Sequence, residues 1–118
     1  MKGVYIMSVY EKMIRSLKDN ALDVYLELLH PDYFFVRHQS GEEVSREKWV
    51  PVVTGMFKAM SEGKLTFFDY RCLYENEDIL VVHHLGNFPD GTKEAILAVH
   101  TLQGGKIVRT ESGATPIQ

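Results

Sequence analysis

Apolar residues recur at three- and four-residue intervals through the first half of this chain and at every second position through much of the second half. The first pattern predicts helices and the second predicts strands. Ser8 is placed to cap a helix whose apolar positions Tyr10, Met13, Ile14 and Leu17 share one face, opposite Glu11, Lys12 and Lys18. Asp19-Asn20 breaks that helix, and Asn20 is placed to cap a second one carrying Leu22, Tyr25, Leu26 and Leu29. Pro31 ends it, because a residue before proline is driven out of the α region. The aromatic run Tyr33–His38 predicts a strand, Gln39-Ser40-Gly41 a turn, and Glu42–Val44 a brief return. Ser45 then caps a third helix, with Trp49, Val53, Met56, Phe57 and Met60 as its buried stripe and Gly63 as its end. Pro51 inside this helix predicts a kink or a late start.

Four strand patterns follow: Leu65–Tyr74, Ile79–Phe88, Thr92–Leu102 and Lys106–Ser112. The separators are short, so neighbours are expected to be antiparallel. Helices first and a strand meander afterwards is an α+β layout. Turn lengths then set the register. They place Tyr70 opposite His83, Asp69 opposite His84, Val81 opposite Val99, His83 opposite Leu97 and Val99 opposite Thr110. On that register one face carries Tyr70, Tyr74, Val81, His83, Leu97, Val99, Thr110 and Ser112, and is expected to meet the helices. The other carries Asp69, Arg71, Leu80, Val82, His84, Ile96, Ala98, His100, Arg109 and Glu111. Its apolar centre of Leu80, Val82, Ile96 and Ala98, ringed by polar groups, is expected to pair two copies of the chain as a homodimer. A one-residue slip in a turn would exchange the two faces.

At 118 residues the chain is expected to form one domain, 1–118, with a core that needs no disulfide or metal staple. A net charge of −3, with thirteen Lys and Arg scattered singly, gives no electrostatic footprint for nucleic acid or an anionic membrane. No apolar stretch reaches membrane-spanning length, and MKGVYIM is too short for a signal-peptide core, so the cytoplasm is the expected location. Met7 is an alternative start to Met1. Cys72 is the single cysteine, expected in the core as a small hydrophobe. His83-His84 does not read as a metal site, because adjacent strand residues point to opposite faces. No other metal-ligand spacing is present, and no cofactor is expected.

Two stretches, LLHPDYFFVRHQSGEEVSREKW at 28–49 and the closing GGKIVRTESGATPI at 104–117, set in this order of elements, resemble the NTF2-like superfamily. The resemblance is greatest to its SnoaL-like members of cystatin-like fold and spans nearly the whole chain. It implies N-terminal helices on a strongly curved antiparallel sheet, a conical cavity between them, and usually a dimer formed through the sheet. Members include ketosteroid isomerases, polyketide cyclases and small dehydratases. Isomerases carry a carboxylate base at the end of the first strand, where this chain has His38. The isomerase tyrosine falls near Ile14 and its second carboxylate near Leu97 or Ala98, so steroid-isomerase chemistry is not expected. Histidine pairs in some dehydratases are more similar to His38 with His83.

The candidate catalytic residues are therefore His38 as general base, with Tyr70 and His83 supporting an oxyanion or leaving group. The plain readings stand beside these: a partly exposed strand-end histidine, and a buried histidine satisfied by a tyrosine hydroxyl. Asp69 opposite His84 has the outline of a dyad but reads first as an interface ion pair. The candidate ligand-binding wall comprises Trp49, Val53, Met56, Phe57, Tyr74, Val81, Leu97, Val99, Thr110 and Ser112. The expected function is binding of a small apolar or weakly polar molecule, with cofactor-free proton transfer as an isomerase, dehydratase or cyclase. The alternative is a non-catalytic ligand-binding or dimeric association module.

Overall fold

The computed structural model describes residues 7–118. The MKGVYI segment, on which the reading of the N-terminus and of Met1 as the start depends, lies outside the described residues. Helix α1 (Val9–Lys18) opens with Ser8 in a reciprocal cap. The Ser8 hydroxyl accepts from the Glu11 N–H at 3.1 Å, and the Glu11 carboxylate accepts from the Ser8 N–H at 3.0 Å. Helix α2 (Leu22–Glu27) starts at Ala21 with no side-chain cap. Asn20 does not cap it. It takes a left-handed conformation, φ 50°, and its amide donates instead to the Phe57 carbonyl of the third helix at 3.1 Å.

Strand β1 (Leu29–Arg37) begins earlier than the aromatic run suggests. Its ladder is interrupted between Leu29 and Phe34, and Pro31, which has no N–H to donate, sits in the interruption. Strand β2 (Glu43–Ser45) pairs back on β1, and Ser45 caps helix α3 (Arg46–Ser61) by accepting from the Lys48 N–H. Pro51 does not delay this helix, which starts directly after its cap. Strands β3 (Thr66–Glu75), β4 (Ile79–Asn87), β5 (Lys93–Gln103) and β6 (Lys106–Pro116) form the meander. Strand β1 joins β6 in parallel, giving one curled, unclosed sheet in the order β2-β1-β6-β5-β4-β3.

The helices lie on one face of this sheet, and the core between them includes Val9, Met13, Tyr33, Phe35, Trp49, Val53, Phe57, Leu80, Val82, Leu102 and Ile107. This corrects the assignment of faces. The pairings Val81–Val99 and His83–Leu97 are present, but the face that meets the helices carries Leu80, Val82, Ala98 and His100. Bulges account for the exchange. An extra residue at Val108 in β6 moves Thr110 from Val99 to His100. Two more irregularities in β3 leave Arg71 opposite His83 and set Asp69 and Tyr70 together against His84. Asp69 takes φ 55° there, the conformation of a bulge residue, and Tyr70 turns to the helix side. Leu80, Val82, Ile96 and Ala98 are thus interior, and the proposed dimer face is not a surface. Cys72 is exposed and not in the core.

Candidate functional site

Between α3, α1 and the concave face of the sheet lies a cavity of about 260 Å³. This is near the lower end for small-molecule pockets, roughly 300 Å³, so an occupant would be small. Its floor is made by buried residues: Met13, Tyr33, Phe57, Val82, His100 and Thr110. Its opening is marked by the lining residues that reach solvent, Arg37 on β1, Val52 on α3 and Ala114 on β6. Phe35 and Trp49 stack across one wall, centroids 4.1 Å apart and planes 6° from parallel. Tyr25 leans on Phe57 at 5.4 Å.

The polar groups inside are uncharged hydroxyls and imidazoles. His100 is 6% exposed, and its Nδ1 lies 2.8 Å from the Thr110 hydroxyl. Burial pulls its pKa down from 6.5 to about 4, and any proton taken up by neighbouring His84 acts in the same direction. The Thr110 hydroxyl also interacts with that of Tyr33, whose own pKa burial pushes upward. Tyr33, Thr110 and His100 therefore form a neutral polar chain on the floor.

His84 stands nearer the opening, opposite Ile96 in the ladder. Its ring stacks on Tyr70 at 5.1 Å and meets the edge of Phe67 at 4.8 Å. Burial lowers its pKa first, a hydrogen bond to the Leu85 carbonyl opposes this, and His83 lowers it further. The contact from Nδ1 to the Leu85 oxygen is 3.4 Å, which favours the Nδ1–H tautomer and leaves the Nε2 lone pair unprotonated. The Tyr70 pKa is raised, mainly by burial, so its hydroxyl remains protonated beside that imidazole. Among the described residues no group of three His, Cys, Asp or Glu side chains could hold a metal ion. No described helix is long and apolar enough to cross a membrane.

Of the residues singled out in the sequence, Tyr70, Trp49, Val53, Met56, Phe57, Thr110 and Ser112 line this cavity. His38, His83, Tyr74, Val81, Leu97 and Val99 do not. His38 follows β1 on the outer side, where its side chain is 54% exposed and its Nε2 lies 3.6 Å from Glu111. The alternation along β1 sends Tyr33, Phe35 and Arg37 inward, so the side chain at the strand end that reaches the cavity is Arg37. His83 projects to the outer face with Leu97, Val81 and Val99, and Tyr74 is 57% exposed. A scheme with His38 as base and His83 as support thus has no common site. Sequence reasoning missed Tyr25, Tyr33, Arg37, His84, Glu94 and His100. Tyr25 shares the apolar stripe of α2 and Tyr33 alternates with Phe35, so both were readable as inward positions. His84 and His100 were hidden by the bulges.

No family model and no curated protein sequence matches the chain. Solved structures do. The chain is similar to an NTF2-like protein of unknown function from Cytophaga hutchinsonii, with TM-score 0.72, 12% identity and coverage of 97% of this chain and 95% of that one. It is similar to a proposed ketosteroid isomerase from Kribbella flavida, with TM-score 0.72, 15% identity and coverage of 93% and 77%. It is also similar to IdmH, a proposed polyketide cyclase from Streptomyces antibioticus, with TM-score 0.65, 14% identity and coverage of 90% and 88%. Identities this low speak for architecture and not for activity. The order of elements, the curled six-stranded sheet and these matches together give the chain an NTF2-like α+β fold.

Proposed function

We propose that the cavity binds a small, predominantly apolar molecule bearing one carbonyl group and catalyses cofactor-free proton transfer next to that group. The observation that carries this reading is His84: an uncharged imidazole on the cavity wall, with Nε2 free of any hydrogen bond among the described residues. In this scheme the carbon–hydrogen bond beside the carbonyl breaks and its proton passes to Nε2. The electron pair delocalises onto the carbonyl oxygen as an enolate, towards which the protonated Tyr70 hydroxyl donates. Return of the proton to a different carbon of a conjugated enolate is isomerisation; departure of a β-hydroxyl as water, protonated by the His84 imidazolium as the C–O bond breaks, is dehydration. His84 thus takes the role that the sequence assigned to His38, and Tyr70 keeps its own.

The fold supports the reading only in outline, since its neighbours include proteins assigned to isomerisation and cyclisation. The apolar lining supports a ligand with little charge in its body. The test is exchange of the C2 protons of 1-tetralone, a two-ring ketone, in deuterated buffer at pH 7, followed by proton NMR. The native chain is expected to accelerate exchange above buffer. His84→Ala is expected to lose about a hundredfold or more of that acceleration while still binding the ketone. Binding without exchange would replace catalysis with a carrier or sensor role. Failure of the ketone to bind at all would count against the pocket itself.

A further inference from the structure

We infer that the molecule taken by this cavity carries a carboxylate, which the Arg37 guanidinium holds at the opening while the apolar body lies inside. This deepens the proposed function and rests on its claim that the cavity binds a small apolar body.

Among the described residues, Arg37 is the one Lys or Arg in the cavity lining. It stands at the end of β1 with its side chain about half exposed, at the boundary between apolar wall and solvent. Its position is fixed from below by the ring of Phe35, 5.4 Å from the guanidinium carbon, and Phe35 is itself stacked on Trp49. Its backbone is pinned by the N–H bond to the Glu42 carbonyl at 3.0 Å. Yet its five N–H donors make no hydrogen bond among the described residues. Among the described residues its single ionic contact is with Glu42, Nε to Oε1 at 3.5 Å, beyond the 2.7–2.9 Å of a charge-assisted bond, and Glu42 is itself well exposed. A planar cation with its donor fork unused, standing on an aromatic wall, matches a carboxylate in shape and charge.

The rest of the lining supports the same orientation. Glu94, the carboxylate of the lining, lies on β5 at the far lip. In the register Arg37 pairs with Ser112 and Ser112 with Ala98, so Glu94 is two strands and four residues removed. It neither neutralises Arg37 through an ion pair nor occupies the same part of the opening. The floor, with uncharged His100, Thr110 and Tyr33, offers no cation to compete for an acid. An amphipathic acid would therefore enter with its apolar end first.

The experiment compares two probes that share a two-ring body, 2-naphthylacetate and 2-(2-naphthyl)ethanol, by calorimetric titration at pH 7. The native chain is expected to bind the acid about fivefold or more tighter than the alcohol, a modest factor because Arg37 is half in water. Arg37→Gln, on an exposed side chain whose backbone bonds are kept, is expected to abolish that preference and leave the alcohol's affinity within about twofold. Glu42→Gln is expected to strengthen the acid alone by freeing Arg37. Equal affinity for the two probes, or a preference that survives Arg37→Gln, overturns the inference while leaving the apolar pocket intact. Binding of neither probe removes the pocket and the inference together.

Discussion

Aspartate in place of Val82 is expected to unfold the chain, whereas aspartate in place of Leu97 is expected to leave it folded. Val82 is 1% exposed and packs in the main core, while Leu97, in the neighbouring strand, is 46% exposed on the convex face. A carboxylate at position 82 would sit on the buried cavity floor beside uncharged His100 and Thr110, with no cation among the described residues there to pair with it. Burying such a group removes several kcal/mol, against a total stability of about 5–15 kcal/mol for a domain of ordinary size. The change at Leu97 forfeits some strand propensity and partial burial, about 1 kcal/mol. Circular dichroism and urea unfolding of the two variants separate the cases. A folded Val82→Asp with an unfolded Leu97→Asp would restore the face assignment that turn counting suggested, and would remove the cavity with it.

Acid is expected to destabilise the protein through His100 before most carboxylates titrate. Its pKa is about 4 in the folded chain because of burial, and about 6.5 when the chain is unfolded. Below pH 6.5 the unfolded chain takes up a proton that the folded chain refuses. The stabilisation is therefore complete above about pH 6.5 and is lost progressively as pH falls towards 4. At about 1.36 kcal/mol per unit, the loss approaches about 3 kcal/mol at pH 4 and about 2 kcal/mol between pH 7 and 5. His84, also lowered by burial, acts with the same sign. Urea midpoints at pH 7 and pH 5 give the measurement. His100→Gln, whose amide can still meet the Thr110 hydroxyl, is expected to remove most of the difference. An unchanged pH dependence in that variant would mean that His100 is not buried in neutral form.

The three helices, the caps of α1 and α3, and the antiparallel meander were legible because each has a local cause. Ser8 and Ser45 cap the helices they precede, and the Pro89-Asp90-Gly91 turn yields the β4–β5 register directly. The cavity's composition was half legible for a different reason. The α3 positions Trp49, Val53, Met56 and Phe57 share a helical stripe whatever the sheet does. Tyr70, Thr110 and Ser112 also reached the cavity side, but beside other partners than the register implied.

The failure lay in strand parity. A single extra residue at Val108 transfers a whole partner strand from one face to the other, and no composition marks it. Nor could hydrophobicity arbitrate. Val81, Leu85, Leu97 and Val99 on the convex side are as apolar as Leu80, Val82, Ile96 and Ala98 on the concave side. His38 shows a related limit: its place at the strand end was visible, but whether it or Arg37 faces inward depends on one step of alternation.

The central claim is that the concave face, with His84 and His100, is the one that receives a ligand. Long-range proton–nitrogen NMR of the five imidazoles during titration with 2-(2-naphthyl)ethanol tests it most directly. The ring signals of His84 and His100 are expected to move with the probe, those of His38 and His83 to stay still. Movement of His38 and His83, with His84 and His100 unchanged, would contradict the account.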